Sequence, residues 1–121
     1  MAISNEIRKD NRMNKPGSSF KENLQKLPSI DGIERLEMID AAGNVVASIE
    51  NQPGKQGSLA VYQYLFATYG VLDAEAATYG LAVFAEHTED ARNRPGAHPN
   101  IDRLLEIQGG GAPLTIRIVK Q

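Results

Sequence analysis

The chain has 121 residues, with 13 Lys and Arg against 15 Asp and Glu for a net charge of −2, and it contains no cysteine. That length suits one domain able to bury a hydrophobic core, and the charge balance gives no general pull toward nucleic acid or an anionic membrane. The missing cysteine excludes disulfides, thiolate nucleophiles and sulfur-ligated zinc, leaving His, Asp and Glu as the only metal ligands.

Residues 1–18 mix charge, Asn and a Pro-Gly pair with scattered apolar side chains, and read as a flexible polar tail ahead of a single domain over 19–121. The tail carries Arg8, Lys9, Arg12 and Lys15 but no apolar signal-peptide run, and no later stretch is long enough to span a bilayer. A cytoplasmic protein is the expectation.

Phe20, Leu24 and Leu27 recur at helical spacing, with Ser18 or Ser19 to cap the start and Pro28 to end the run. Ile33 to Asp40 and Val45 to Ile49 then read as two strands, joined through Gly43 or Asn44, either of which adopts the positive φ that a hairpin connection demands. Leu59, Tyr62, Leu65, Phe66 and Tyr69, widened by Val61, form one helical stripe with Ser58 as the expected N-cap and Gly70 as the stop. Asp73 is placed to cap a second, long helix whose stripe is Ala76, Gly80, Val83, Phe84, His87 and Ala91, ending near Arg94 because Pro95-Gly96 cannot continue it. Pro99 and Asn100 open a third short helix over Ile101 to Ile107, the three glycines 109–111 form a hinge, and Leu114, Ile116 and Ile118 alternate as a final strand.

This order predicts a two-layer α+β domain: a small, mainly antiparallel three-stranded sheet from the hairpin and the C-terminal strand, covered by about four helices. Strand Ile33 to Ile39 carries apolar residues at 33, 36, 38 and 39, on both of its faces, so a second copy pairing on the uncovered side is an expectation. Tyr62, Tyr64, Tyr69 and Tyr79 sit at helical spacing and read as packing residues.

Three places hold the chemistry. Gly54-Lys-Gln-Gly-Ser58 joins a strand to a helix start, where unpaired N–H groups and the helix dipole favour an anion, with Lys55, Gln56, Gly57 and Ser58 in reach of it. The order of residues is not a nucleotide-binding P-loop, and the same glycines and serine equally make an ordinary turn and cap. Glu86, His87, Glu89 and Asp90 crowd the end of the predicted long helix, where the dipole disfavours negative charge and where Arg94 is placed to pair with Asp90. His87 there is either a packed, hydrogen-bonded side chain or a general base tuned by Glu86 or Asp90. His98-Pro-Asn-Ile-Asp-Arg103 is the third place: Asn100 and Asp102 serve a helix start, while His98 has no evident packing duty and joins Arg94, Asn100 and Arg103 as a candidate ligand contact. A metal held by His87, Asp90 and His98 is the weaker alternative to no metal at all, since the spacing lacks an i, i+4 pair of ligands.

The stretches Phe20 to Leu27 with Pro28-Ser-Ile-Asp31, Glu50 to Tyr62, Phe84 to Ala91 and Pro95 to Leu104 resemble a small bacterial family known as domain of unknown function, family 2322. The resemblance covers roughly residues 20 to 107 and implies a bacterial, soluble protein, with no activity, cofactor or catalytic residue attached to it. Two readings of function follow from the residues. The first is a non-catalytic ligand-binding or protein-interaction module using the Lys55 loop and the segment from His87 to Arg103. The second is a small enzyme on a phosphate- or carboxylate-bearing substrate, with Lys55 holding the anion and His87 as base. The second needs the loop and the histidines to meet in one pocket.

Overall fold

In the computed structural model, which describes residues 15–121, the elements run α1 (Phe20–Leu24), β1 (Ile33–Ile39), β2 (Val45–Glu50), α2 (Gln56–Tyr69), α3 (Ala74–Phe84), α4 (Glu86–Asn93), α5 (Pro99–Gln108) and β3 (Thr115–Lys120). Three antiparallel strands in the order β2-β1-β3 and five helices make the expected α+β fold. Most of the tail read over residues 1–18 lies outside the described residues, but Gly17 is tied to the domain by a pair of hydrogen bonds with the Asn23 side chain (2.8 and 3.0 Å).

The hairpin is made by Asp40 as much as by Gly43. Its carboxylate accepts the N–H groups of Ala42 (3.0 Å) and Asn44 (2.9 Å), closing the turn from the inside, while Gly43 takes the positive φ of 90°. A register shift between Ile33 and Arg35 sets Ile33, Leu36 and Met38 all into the core, where Ile49 and Ile116 meet them from the flanking strands. The other face of β1 therefore carries Arg35 and Glu37 rather than an apolar stripe. Glu37 is 8% exposed there, gripped by Arg35 (2.9 Å) and by Arg117 of β3, and its carboxyl is held below the usual range by Arg35 first and Arg117 second.

Helices cover the inner face. Leu59, Tyr62 and Leu65 of α2 are buried, and α3 passes between α2 and α5 so closely that a methyl group at Gly80 would lie 2.8 Å from Leu65 and 2.9 Å from Leu104. Tyr64, Tyr69 and Tyr79 pack ring to ring outside this core, as their helical spacing predicts. Ser19 caps α1 through Glu22 N–H, Asp73 caps α3 through Ala76 N–H, and Gly70 ends α2 at a φ of 77°.

The predicted long helix after Asp73 is two helices. Ala85 adopts φ 53° and ψ −118°, and it is the sole non-glycine residue with positive φ among those described. The kink turns the Ala85 N–H onto Ala82 O (3.2 Å), which orphans the carbonyls of Leu81 and Val83. Both are taken up by side chains from elsewhere in the sequence: Thr88 donates its hydroxyl to Leu81 O (2.6 Å) and Asn23 donates its amide to Val83 O (3.0 Å). Thr88 and Asn23 are accordingly two of the buried polar side chains, each with a structural duty.

An alanine in this backbone region carries strain of roughly 1–3 kcal/mol, whereas glycine there adds roughly 0.5–1 kcal/mol of unfolded-state entropy. Ala85→Gly should therefore raise stability by about 1 kcal/mol in equilibrium urea unfolding. A loss of stability would show that the break holds no strain.

Candidate functional site

A cleft of about 690 Å³ opens where α1, α2, α4 and α5 meet. One wall is apolar, built from Phe20, Leu24, Phe84 and Ile101. The rest of its lining is polar: Lys55 to Ser58 at the start of α2, where Phe20 and Leu24 pack against Gly57, His87 in the first turn of α4, and His98 with Asn100 at the start of α5. The Lys55 loop and both histidines thus share one concavity, as an enzyme or a small-molecule site requires.

The helix starts around it are distinctive. α2, α4 and α5 all begin without a side-chain cap, whereas α1 and α3 have one. Ser58 is not the cap that its position suggested: the helix begins three residues earlier, Lys55 occupies the N-cap, and Ser58 sits within the first turn. His98, not Asn100, is the N-cap of α5, and its ring makes no capping bond. Asp102 instead reaches back to the Gly96 N–H (2.9 Å), shaping the turn that returns the chain to the cleft. No carboxylate lines the cleft among the described residues.

The carboxylates nearby are engaged outward. Glu86 accepts the Phe20 N–H (2.8 Å), which clamps α1 onto the helix break and holds its carboxyl below the usual range, the Phe20 bond being the main cause. Asp90 bonds His98 and Arg94 rather than His87. It accepts from His98 Nε2 (2.6 Å) and from Arg94 through Nε (2.9 Å) and Nη2 (2.5 Å), and the Arg94 bond, followed by that from His98, holds its carboxyl far below the usual range. A carboxylate in this state only accepts, so Nε2 of His98 carries the proton and, in the neutral ring, Nδ1 keeps the lone pair. His87 packs edge-on against Phe20 (5.1 Å between centroids) and lies 5.9 Å from the His98 ring.

Arg94 stands behind the cleft, acting through Asp90, and Arg103 is further removed. Its guanidinium donates to Tyr62 Oη (3.1 Å) and Asn100 Oδ1 (2.8 Å), and Tyr62 in turn donates to the Asn100 carbonyl (2.6 Å). This knot fixes the first turn of α5; burial pushes the Tyr62 hydroxyl up to about 12, against the opposing pull of Arg103. Gln56 is also turned aside, donating to Asn51 (2.8 Å). His87, Asp90 and His98 do not come together as a metal-ligand group, and no three His, Asp or Glu do so among the described residues. What the sequence did not mark was the apolar part of the lining: Phe20, Leu24 and Phe84 fit a core-facing stripe, and only the crossing of α1 over the break brings them together beside the histidines.

The site and fold define a small α+β protein with one amphipathic cleft at converging helix starts. The chain belongs to the family described as uncharacterized protein conserved in bacteria (DUF2322), whose profile matches residues 20–118. No curated protein and no solved structure matches it. No helix among the described residues is long and apolar enough to cross a membrane.

The Asp90 shift fixes a sign for acid stability. Because its folded pKa is depressed, the Arg94 and His98 bonds stabilise the protein above the ordinary Asp value near 3.9 and lose that contribution as the pH falls below it. Wild type should be more stable than Asp90→Asn at pH 6, and the gap in urea midpoint should narrow steadily as the pH falls from about 4 toward 2. A gap that stays constant over that range would show that Asp90 is not the charged anchor.

Proposed function

We propose that the protein binds a small molecule with an anionic head and a short apolar body. One observation carries this reading: the three helix starts that lack side-chain caps, together with Lys55, surround a cleft lined by no described carboxylate. Lys55 has no ion pair among the described residues, although such a charge beside Asp or Glu is easily neutralised. Unpaired N–H groups of a first helical turn and a primary ammonium are the usual partners of phosphate or carboxylate. The half-buried side chains of Phe20 and Leu24 offer a ring and a branched chain to an apolar body, with buried Phe84 and Ile101 behind them, and the cleft falls in the size range of small-molecule sites. Ser58 and Asn100 lie within the same polar wall to fix orientation.

Phenylphosphonate, which joins a dianion to one ring and cannot be hydrolysed as an ester, is a direct probe. It should raise the melting temperature more than inorganic phosphate does, since each native-state ligand stabilises by mass action and the ring adds apolar burial. Lys55→Ala should weaken its binding about tenfold by calorimetry, the loss of one charge-assisted contact. No thermal shift by either compound at up to about 10 mM would remove the anion-binding reading.

A further inference from the structure

We propose that the cleft is also hydrolytic, with His98 and His87 as a base and acid pair acting on a phosphoric ester. This rests on the anion-binding reading above and goes beyond it. The carrying observation is the polar relay behind His98: Arg94 holds Asp90 by two bonds, and Asp90 holds Nε2 of His98 at 2.6 Å. The ring is thereby fixed in orientation and tautomer, and its Nδ1 has no partner among the described residues, since His98 makes no cap bond to its own helix. A histidine placed between a buttressed carboxylate and a cleft is an arrangement that serves proton transfer.

A second imidazole completes it. His87 lines the same cleft 5.9 Å from His98, and its ring is set by its edge-on contact with Phe20. The charged groups facing the two rings are Asp90 and Arg94 on α4, Glu86 at its head, and Lys55 across the cleft. Asp90 and Arg94 are positioning residues; the two histidines touch the reacting atoms.

In this step the phosphoryl group lies against Lys55 and the first turn of α2. Water gives a proton to Nδ1 of neutral His98, and its oxygen bonds to phosphorus. The P–O bond to the alcohol breaks with its electron pair on the leaving oxygen, which takes a proton from protonated His87. Ester and water become phosphate and alcohol, one proton has passed to His98 and one has left His87, and exchange with solvent resets both rings. A phosphoric ester fits better than a carboxylic one because the cationic and N–H wall is matched to a group that is already anionic before reaction.

The experiment is steady-state hydrolysis by the full chain of 4-nitrophenyl phosphate and of bis(4-nitrophenyl) phosphate, which separates monoester from diester preference, with phenylphosphonate binding measured in parallel. Saturable release of nitrophenolate from one of them is expected. His98→Gln should lower kcat by about 100-fold or more while phenylphosphonate binding stays within about threefold. Asp90→Asn should lower kcat with little change in KM, and His87→Gln should also lower kcat. Phenylphosphonate binding without turnover of either ester, or equal rates in wild type and His98→Gln, would overturn the hydrolytic proposal and leave the binding site standing. Absence of phenylphosphonate binding together with absence of turnover would overturn both.

Discussion

The interruption of the helix at Ala85 is the constraint on which the rest of the molecule depends. A continuous helix from Asp73 to Arg94 would satisfy its own backbone and leave α1 with nothing to hold. Breaking it exposes the carbonyls of Leu81 and Val83, and the protein answers with Thr88 from beyond the break and Asn23 from α1. Asn23 also closes on Gly17, and Glu86 receives the Phe20 N–H, so the first helix is bolted to the break at both of its ends. Phe20 then stacks on Phe84 at 5.2 Å and meets His87 edge-on. One strained residue thus ties together α1, α3 and α4 and forms the apolar wall of the cleft.

The same break redirects charge. In a single long helix, Glu86, Glu89 and Asp90 would crowd the C-terminal half, where the dipole repels them; in α4, Glu86 and Glu89 lie in the first turn of a new helix, where the dipole favours them. Asp90 is then free to face across the turn at Pro95 and Gly96 toward His98. The result is a division of labour in which carboxylates hold the scaffold from outside while imidazoles, an ammonium and helix starts without side-chain caps line the cleft. A protein selected only for stability would cap α2 and α5, since a single cap contributes about 1 kcal/mol. Both are left uncapped around one concavity.

Much of the architecture was legible because its signals are local. Ser19 and Asp73 cap the helices they precede, Gly70 ends α2, Gly43 turns the hairpin, and alternating apolar residues mark β3. The break was not legible in the same way: the apolar stripe runs unbroken through it, neither Gly nor Pro marks it, and alanine is the residue best suited to a helix interior. Its one trace was the misplaced negative charge after Phe84, which looked like a violated rule and was the start of another helix. Partner choice was hidden for a related reason. Asp90 bonding His98 rather than serving His87, and Arg103 held by Tyr62 from 41 residues away, depend on how helices cross rather than on spacing along the chain. The Lys55 loop and the two histidines could be named from composition, but only the fold brings them to one cleft.

The most direct test of this account is a nuclear Overhauser spectrum of the labelled protein near neutral pH, read together with its backbone chemical shifts. The account predicts cross-peaks from the His87 ring to the rings of both Phe20 and His98, and helical Cα shifts that lapse at Ala85 and resume at Glu86. Unbroken helical shifts from Ala74 to Asn93, with no contact between His87 and either ring, would contradict it and dissolve the cleft from which its chemistry is argued.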